Sequence, residues 1–529
     1  MFDVVIVGSG VSGVAAALRF ADRGIIPCLV DVGVNPPPVP EISENFYDFR
    51  KNHDSFFLMV GEHFEGLVDI VKESPSIPVK LASPLMRFVT AHAQEYSPLK
   101  TTGFDVIQSF SRGGLANAWG AGLYRYGDRD LEAFPIDSRD LAPYYDRLTR
   151  EIGISGENDD LMPFFGRDEF LQKPLRLSAN ASRILKRYLR KKNIFNASGL
   201  YIGRPRLGVL TEEKQGRTGC DYRNLEFWLP GLPHIYSPLM TLNGLIRENK
   251  LIYKEGLLVK SWIRQGDHLV VKAERVGNRE SVLIPCKKMV LAAGAVGSAR
   301  LVLQANGDTR TELELLDNPA FQFPFVLPSR LGAELEMDAF GLTQLNIVCE
   351  SPNFQNILQG SLLEVTSPAR AEFFRYFPWA ARDNLRLIRY VLPALTVLQL
   401  FFPADASNAA KLGLNEDGSL CVRGQKDRLY PGVKKDILRW FRRLGALSLS
   451  SLVVEVPKGQ SIHYAGTLPM KAHPKEKYSC DRNGELAGEP GVFVADGSAF
   501  PTLSAKNFSL ALMANAMRIA DVVVGRLEN

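Results

Sequence analysis

A glycine-rich turn near the start of the sequence has the residue types and the spacing that suit the binding of a dinucleotide. Gly8, Gly10 and Gly13 follow the apolar run 4–7 and open a segment rich in Ala and Leu. In such a turn the first glycine permits the tight bend, the second lets a pyrophosphate approach the backbone, and the third allows close packing of helix on strand. The N-terminus of the following helix then presents unpaired N–H groups and a positive dipole end to phosphate oxygens.

An acidic residue follows the next apolar run, where a dinucleotide-binding site has the carboxylate that binds the ribose. Asp31 ends the next apolar run, 28–30. Its carboxylate can accept both hydroxyls of an adenosine ribose, and its charge would repel a 2′-phosphate. The pattern therefore predicts a ligand that contains ADP. By itself it does not distinguish FAD from NAD, and a glycine-rich turn without a ligand is the alternative interpretation.

The sequence lacks the residue patterns that are characteristic of other kinds of catalytic site. There is no GxSxG turn for a serine nucleophile, no HxxxH pattern and no cluster of His, Cys and Asp, so we expect no metal site. The six cysteines stand far apart and form no CxxC pair, which predicts neither a zinc site nor a disulfide framework. Together with a start that lacks a signal-peptide pattern, this cysteine usage predicts a reducing, cytoplasmic location.

Composition excludes several further classes of protein. The 529 residues are 46% hydrophobic and 23% charged, which is typical of a globular protein with a large core. The net charge of +5, from 63 basic and 58 acidic residues, is too small to indicate nucleic-acid binding. The longest apolar run, 391–404, is interrupted by Pro393 and Pro403 and is shorter than the about 20 residues that a membrane span needs, so no transmembrane segment is predicted.

One basic segment of the sequence has two possible interpretations, a solvated helix face or a docking site. Arg375, Arg382, Arg386 and Arg389 recur at helical spacing within 370–392, opposite a set of apolar residues. This pattern is typical of an amphipathic helix whose basic face is solvated. The alternative is a docking site for an anionic substrate group or a lipid surface, so peripheral membrane contact stays compatible with the sequence.

The hydrophobic pattern indicates which elements position the glycine-rich turn. We predict a strand over 3–7, a helix over 11–23 and a second strand over 25–30, in which Pro27 restricts the regular part to 28–30. Strands return between 236 and 305, and the residues after 459 again combine buried strand and helix. We therefore predict an α/β nucleotide-binding domain that is assembled from separated segments, with a second lobe inserted between them.

Several separated motifs, in a fixed order along the chain, extend this interpretation to a family. They are 113–120 (GGLANAWG), 292–300 (AAGAVGSAR), 463–470 (HYAGTLPM), 481–486 (DRNGEL), 491–501 (GVFVADGSAFP) and 506–510 (KNFSL). Together with the glycine-rich turn, this set resembles the glucose–methanol–choline (GMC) oxidoreductases. The resemblance is specific in the nucleotide-binding half, whereas 41–100 and 311–458 match that family in layout only.

The resemblance implies an α/β fold with two parts. One is a Rossmann-like FAD-binding domain assembled from discontinuous segments, and the other is an α+β substrate domain whose sheet roofs the flavin. The implied boundaries are 1–40, 101–130, 205–310 and 459–529 for the FAD-binding domain, 41–100 for a lid or entrance excursion, and 131–204 and 311–458 for the substrate domain.

The resemblance also implies where one FAD per chain would lie. The backbone of Val259 is expected at the adenine, and Asn117 is expected beside the flavin. A helix that starts near Phe508 would aim its N–H groups at the flavin carbonyl where negative charge accumulates. The residues expected to contact FAD are Gly8, Gly10, Gly13, Asp31, Gly113, Gly114, Asn117, Val259, Gly294, Asp496, Gly497 and Phe508.

Two positions differ from patterns that are frequent in the family. Some sugar-oxidising members hold their flavin covalently through a histidine next to the Gly-Gly motif, where this chain has Ala118, so we expect non-covalent FAD. The family often has two active-site histidines, but the second position here is Asn507. Because an amide cannot take a proton, the role of general base falls to His463, whose imidazole has an ordinary pKa of about 6.5. The Asn507 amide would donate to the same oxygen.

The expected activity is oxidation of an alcohol to a carbonyl, with hydride transfer to flavin N5 and the hydroxyl proton taken by His463. The expected substrate is a small-molecule sugar, polyol or secondary-metabolite hydroxyl, and either oxygen or another compound could accept the electrons. Two alternatives stay open. One is a lyase-type relative that contains FAD but performs no net redox reaction, and the other is a non-catalytic dinucleotide-binding module.

Overall fold

The computed structural model places the chain in a mixed α/β fold, as the sequence predicted. In the residues that the structure describes, the strands form three sheets. These residues are 1–39, 57–58, 60–66, 81–222, 229–336, 338–350, 357–365, 381–425, 432–474 and 477–528.

The strands and helices of the described residues are numbered in chain order. The strands are β1 (Phe2–Val7), β2 (Cys28–Val30), β3 (Leu99–Thr102), β4 (Leu200–Gly203), β5 (Ile252–Lys254), β6 (Leu257–Gln265), β7 (His268–Arg275), β8 (Ser281–Leu291), β9 (Leu313–Leu315), β10 (Ala320–Val326), β11 (Thr343–Cys349), β12 (Leu358–Glu364), β13 (Leu395–Phe401), β14 (Ala410–Leu414), β15 (Leu420–Arg423), β16 (Val454–Glu455) and β17 (Val492–Val494). The α-helices are α1 (Val11–Asp22), α2 (Ala93–Tyr96), α3 (Ser138–Ile152), α4 (Met162–Phe165), α5 (Ala179–Arg190), α6 (Lys192–Ala197), α7 (Pro238–Arg247), α8 (Gly294–Ala305), α9 (Ala381–Val391), α10 (Val433–Arg443) and α11 (Ser509–Glu528).

The largest sheet is built around the first strand. Its order is β5-β2-β1-β8-β7-β6, and β17 also pairs with β8. β1 runs parallel to both of its neighbours, β2 and β8. Residues 4–7 of β1, 28–30 of β2 and 289–291 of β8 are almost fully buried, as expected for parallel strands that are covered on both faces. The predicted strand, helix and strand of the first 30 residues are therefore confirmed as β1, α1 and β2, and α1 packs against α11 from the other end of the chain.

The second sheet is antiparallel and has six strands in the order β16-β10-β13-β12-β11-β4. Successive side chains of each strand point to opposite faces. One face packs against α5 and α10, where Tyr188 and Trp440 are among the fully buried side chains. The other face lines a cavity between this sheet and the largest sheet. The two large sheets thus place side chains on opposite sides of that cavity.

The third sheet was not predicted from the sequence. Its order is β3-β15-β14-β9, and it pairs residues 99–102 with residues 420–423 in parallel register. Its strands have three to five residues each and lie far apart in the chain, so no local pattern indicates their pairing. Leu315, Leu412 and Leu420 of this sheet are buried in the same core as the largest sheet.

Strand β10 was not predicted from the sequence either. Pro324 lies inside this strand, and a proline cannot donate a hydrogen bond to a sheet, which argues against a strand at that position. In the structure β16 pairs with β10 only at Phe321 and Gln322, so Pro324 lies beyond the end of that pairing. The strand tolerates the proline because its neighbour on this side is short.

Of the basic segment 370–392, the structure describes the part from residue 381 onward, which forms α9. Arg382, Arg386 and Arg389 are exposed on this helix, while Ile388 on its other side is buried. The helix is therefore amphipathic, as the spacing predicted. Arg375 lies outside the described residues.

Three further findings concern disulfides, metal sites and membrane-spanning helices. All six cysteines are free. Among the described residues, no group of three or more His, Cys, Asp or Glu side chains could hold a metal ion. No helix of the described residues is long and apolar enough to cross a membrane.

Candidate active site

The cavity between the two large sheets has a volume of about 740 Å³. The carboxyl ends of β1 and β2 contribute Gly8 and Asp31 to its wall, and the corner after β8 contributes Gly294. The opposite wall consists of β10, β12, β13 and their neighbours. The volume of the cavity falls in the range of about 300–1,000 Å³ that is usual for sites of cofactors and small molecules.

The turn between β1 and α1 depends on its glycines for steric reasons. Gly8 has φ +101°, and a β-carbon there would lie 2.6 Å from the carbonyl oxygen of Ala292. A β-carbon on Gly13 would lie 1.9 Å from the carbonyl oxygen of Gly8, so α1 can approach the turn only with glycine at this position. At Gly10 a β-carbon would meet no atom within 4 Å, and this residue lines the cavity. The turn thus leaves space for a ligand beside Gly10.

Ser9 links the glycine-rich turn to two other parts of the site. Its hydroxyl donates a short hydrogen bond to Oδ2 of Asp31. The Oγ atom of Ser9 also accepts a hydrogen bond from the backbone N–H of Gly113 at 2.9 Å. Burial raises the pKa of the Asp31 carboxyl to about 6, and the bond from Ser9 opposes part of this rise. The 113–120 motif is therefore fastened to the first turn through a single hydroxyl group.

Asn117 holds the 113–120 segment together from behind. Its Nδ2 atom donates to the carbonyl oxygens of Arg112 and Gly114, at 2.9 Å each, and lies 3.2 Å from Oγ of Ser111. Among the described residues, the cavity wall includes Gly113 and Gly114 but not Asn117. The structure thus places the Asn117 side chain inside the turn, where it stabilises the backbone that faces the cavity.

Asp496 connects two segments that lie about 200 positions apart in the chain. Its Oδ2 atom accepts hydrogen bonds from the backbone N–H of Gly294 at 2.8 Å and from the hydroxyl of Ser298 at 2.6 Å. Its Oδ1 atom accepts from the N–H of Ser498 at 2.9 Å. Burial raises the pKa of this carboxyl, and these bonds to its charged form oppose the rise. Asp496 and the adjacent Gly497 line the cavity.

A buried arginine lies beside Val259 in the cavity wall. Arg300 is only 5% exposed and donates to the carbonyl oxygens of Tyr96 at 3.1 Å and Val259 at 3.3 Å. Its Nε atom has no hydrogen-bond partner, and no acidic side chain of the described residues forms an ion pair with it. Burial lowers the pKa of this guanidinium to about 10, which still leaves it charged at neutral pH. The cavity therefore contains a buried positive charge without an anion from the protein.

The ring of His463 is held in one tautomer by Asn318. The Nδ1 atom of His463 lies 3.0 Å from Oδ1 of Asn318. The Nδ2 atom of Asn318 donates to the carbonyl oxygens of Phe402 at 2.7 Å and Ser504 at 3.0 Å, which fixes the orientation of the amide. Because Oδ1 can only accept, Nδ1 of His463 must carry the hydrogen. In the neutral imidazole the lone pair is therefore on Nε2.

The backbone and the ring faces of His463 are fixed as well. Its backbone N–H donates to Oδ1 of Asp317 at 3.1 Å, and the N–H of Gly459 donates to Oδ2 at 2.8 Å. Burial raises the pKa of the Asp317 carboxyl to about 7, while these hydrogen bonds oppose the rise. The imidazole packs between the rings of Phe401 and Phe508, at centroid distances of 5.0 Å and 5.4 Å. Such packing leaves the ring little freedom to rotate.

Asn507 lies in a loop that is anchored by a buried ion pair. Lys506 is 3% exposed, and its Nζ atom lies 2.5 Å from Oδ2 of Asp130 and 2.5 Å from the carbonyl oxygen of Phe164. Ser504 donates to the other carboxylate oxygen of Asp130 at 2.6 Å. Asn507 itself lines the cavity, and within the part of the chain that the structure describes its amide forms no hydrogen bond. The loop thus presents an amide that is available to a ligand.

Most of the residues that sequence analysis selected meet in this cavity. The two that do not line it, Gly13 and Asn117, pack directly behind it. Those that line it are Gly8, Gly10, Asp31, Gly113, Gly114, Val259, Gly294, His463, Asp496, Gly497, Asn507 and Phe508.

Known proteins share this fold and part of this sequence. Pyridoxine 4-oxidase from Mesorbium loti has a similar structure, with a TM-score of 0.59 over 99% of each chain and 15% sequence identity, which shows a common fold. A C-glycoside 3-oxidase from Microbacterium trichothecenolyticum is 34% identical over 100 residues. That match covers 18% of this chain and 19% of the relative's length.

A family model described as GMC oxidoreductase matches residues 442–516. This range includes His463, Asp496 and Asn507. Over these residues the chain is similar to the GMC oxidoreductases. Ala118 is buried in the cavity wall.

Several residues that shape the cavity were not predicted from the sequence. Ser9 and Arg300 lie inside motifs that were recognised, but their bonds depend on segments that are distant in the chain. Asn318 has no motif around it, and only the structure brings it to His463. Gln322 and Gln399 line the opposite wall, and no periodicity distinguishes them from other strand residues.

Proposed function

We propose that the chain binds FAD non-covalently in this cavity and oxidises a hydroxyl group of a small-molecule alcohol to a carbonyl. One observation carries the proposal. The imidazole of His463, with its lone pair on Nε2, lines the same cavity as the glycine-rich turn at Gly8 and Gly10. A dinucleotide held at the turn would therefore have its other half within reach of a general base.

The residues of the wall fit the parts of FAD. Gly10 leaves space for a pyrophosphate at the N-terminus of α1, and Asp31 offers a carboxylate to ribose hydroxyls. The unpaired charge of Arg300 suits an anionic ligand, since a buried charge without a partner is costly. FAD supplies both a pyrophosphate and a ribose. Because Ala118 cannot form a bond to a flavin, the proposed binding is non-covalent.

The proposed chemistry divides between the cofactor and the chain. A flavin, when bound, supplies the acceptor for the hydride of the alcohol carbon. His463 takes the hydroxyl proton at Nε2, and Asn318 keeps the ring in the tautomer that allows this. The Asn507 amide donates to the same oxygen, which orients the alcohol and stabilises the negative charge that develops on it.

The proposed substrates are a sugar, a polyol or another secondary-metabolite hydroxyl. Both relatives named above are oxidases by name, one of a C-glycoside and one of pyridoxine, and each of these compounds carries hydroxyl groups. The electron acceptor is proposed to be oxygen or another small oxidant.

The test combines the purified protein with one pair of variants. We expect a yellow protein that releases all its flavin into the supernatant on acid precipitation. Anaerobic addition of an alcohol substrate should bleach the flavin, and His463→Ala should retain the flavin but slow bleaching by about 10²-fold or more. His268→Ala, half-buried at the start of β7 and outside the cavity wall, is the control and should bleach at the wild-type rate. A colourless protein, or equal rates for wild type and His463→Ala, would contradict the proposal.

A further inference from the structure

Four polar residues form one continuous row across the cavity-facing side of the six-stranded sheet. Gln322 of β10 lies opposite Gln399 of β13, and Gln399 lies opposite Ser361 of β12. Ser361 in turn lies opposite Asn346 of β11. We call these four residues the polar row. Directly opposed residues on one face have β-carbons about 5 Å apart, so the polar row forms one connected strip.

Packing alone does not require polar side chains at these positions. The next residues on the same face, Pro324, Val397 and Leu363, are apolar and line the cavity too. A buried sheet face is more stable with apolar residues, because polar groups that are removed from water need hydrogen-bond partners. Each polar residue of the row must therefore be satisfied by a neighbour or by a ligand.

At one end of the polar row the side chain forms hydrogen bonds within the protein, whereas at the other end the side-chain amides form none. Asn346 accepts a hydrogen bond from the Tyr124 hydroxyl at 2.6 Å and donates to the carbonyl oxygen of Gly360 at 3.1 Å. The amides of Gln322 and Gln399 form no hydrogen bond with any described residue, although both side chains line the cavity. Each amide offers two donor hydrogens and one acceptor oxygen, which is what a set of neighbouring hydroxyl groups can use.

A further amide on the same face also has unmet hydrogen bonds. Gln359 precedes Ser361 by two residues on β12, so the two side chains share a face. It is 1% exposed, and neither its Oε1 nor its Nε2 atom has a hydrogen-bond partner. Such fully buried, unsatisfied amides are rare in folded proteins unless a ligand or an ordered water completes them.

The polar row lies on the same face of the sheet as Phe401, the residue that packs against His463. Phe401 follows Gln399 by two residues on β13, and its ring packs against the His463 imidazole at a centroid distance of 5.0 Å. Two residues along a strand span about 6.6 Å, which is close to the width of a six-membered ring with its hydroxyl groups. A cyclic polyol with one hydroxyl at His463 would therefore place hydroxyls from its far side at the polar row.

We propose that the polar row selects a polyhydroxylated six-membered ring, so that the substrate is a pyranoside or a cyclic polyol and not a simple alcohol. This inference rests on the proposed oxidation of an alcohol at His463. The amides of Gln322 and Gln399 donate to and accept from hydroxyls that do not react. An alcohol without such hydroxyls leaves both amides desolvated and unpaired, which disfavours its binding.

The experiment uses substrates and variants that are matched in shape. Cyclohexanol and myo-inositol share a six-membered ring, but only the latter carries additional hydroxyls; methyl β-D-glucopyranoside is the pyranoside probe. The variants of the holoenzyme are Gln399→Met and Gln322→Met, which keep the side-chain length and remove the amide. Gln265→Met, at the end of β6 and outside the cavity wall, is the control.

For the wild type we expect kcat/KM for at least one of the two polyhydroxylated probes to exceed that for cyclohexanol by about 10²-fold or more. Each Met variant should lower this ratio by about tenfold, while Gln265→Met should leave it unchanged. Equilibrium binding of the preferred probe, measured in the His463→Ala background to prevent turnover, should weaken by a similar factor on adding Gln399→Met. This second measurement reports binding independently of the reaction.

The outcomes distinguish this inference from the proposed function. If the wild type oxidises cyclohexanol as well as it oxidises both polyhydroxylated probes, the inference is wrong while the proposed function stands. The same holds if the Met variants lower all the rates equally, or if flavin is reduced by a simple alcohol alone. If the protein contains no flavin and oxidises no alcohol, the proposed function itself fails.

Discussion

The Oδ1 atom of Asn318 lies 3.0 Å from Nδ1 of His463, and this contact determines which nitrogen of the ring is able to accept a proton. Asn318 cannot rotate its amide to reverse the contact, because its Nδ2 atom already donates to the carbonyl oxygens of Phe402 and Ser504. Asn318 is therefore a positioning residue. It does not line the cavity, but it specifies the tautomer of His463, which does.

Replacing Asn318 by Ala should slow the reaction through His463. Without the acceptor at Nδ1 the neutral ring can exchange tautomers and rotate, so a smaller fraction of molecules has its lone pair at Nε2. We expect flavin reduction by an alcohol to slow by about tenfold or more, with the pH dependence of the rate altered on its acidic limb. Stopped-flow absorbance of the flavin at several pH values measures both effects.

A double-mutant cycle separates this role from a merely structural one. In the His463→Ala background, the Asn318→Ala replacement should have almost no further effect on the rate, because the group that it positions is already absent. If Asn318→Ala slows the reaction by the same factor with and without His463, then Asn318 acts through the fold and not through the tautomer.

Asp31 should make the affinity for FAD dependent on pH. Its carboxyl has a pKa of about 6 because it is buried, and the ribose hydroxyls of the cofactor would donate to the ionised form. Protons and the cofactor therefore compete, and affinity should fall by up to about tenfold per pH unit as the pH drops below 6. In Asp31→Asn the affinity should be lower at pH 8 and nearly constant down to pH 5. Titration of the apoprotein with FAD, followed by flavin fluorescence, measures this.

The control for that measurement is Asp267→Asn, since Asp267 is fully exposed and remote from the cavity wall. It should reproduce the wild-type pH dependence. A wild-type affinity that stays constant between pH 5 and pH 8, or a pH dependence that persists in Asp31→Asn, would show that another group competes with the cofactor.

Arg300→Met should weaken FAD binding without destabilising the apoprotein. The wild-type guanidinium is buried with an unpaired Nε atom and no acidic partner among the described residues, so the apoprotein carries the cost of an uncompensated charge. An anionic cofactor would offset that cost. We expect the dissociation constant of FAD to rise by about tenfold or more, while the melting temperature of the apoprotein is not lowered.

Arg518→Met provides the matched comparison for Arg300. Arg518 is also buried and has no ion pair among the described residues, but it lies on α11 away from the cavity wall and bonds to Asn515. Its replacement should leave the affinity for FAD unchanged. If both variants change the affinity for FAD equally, the charge of Arg300 has no particular connection to the ligand.

The sequence predicted those parts of the fold whose signals are local. β1, α1 and β2 follow from a short apolar run, a glycine-rich turn and a second apolar run, and no distant contact is needed to recognise them. The residues that line the cavity near Gly8, His463 and Asn507 were also identified, because each lies in a motif with several distinctive neighbours. In these places the local pattern agrees with the tertiary structure.

The parts that were missed depend on contacts between distant segments. β10 contains Pro324, which opposes a strand locally, and only the short pairing with β16 makes it acceptable. Gln322 and Gln399 become neighbours through the register of two strands that are far apart in the chain, and a shift of one residue would move each to the other face. Such registers are set by the packing of the whole sheet, which no single segment encodes.

The ion pair between Lys506 and Asp130 should contribute more to stability than an exposed pair does, because it is almost fully buried and anchors the loop that carries Asn507. Asp130→Asn leaves a buried ammonium group without its anion, which should lower the free energy of unfolding by about 3–5 kcal/mol. Asp417→Asn removes the partner of Lys100 in an exposed pair of similar distance, 2.7 Å, and should lower the free energy of unfolding far less, because solvent screens that pair. Urea denaturation of both variants under the same conditions compares the two losses. Equal losses would mean that the buried pair does not hold the Asn507 loop in place.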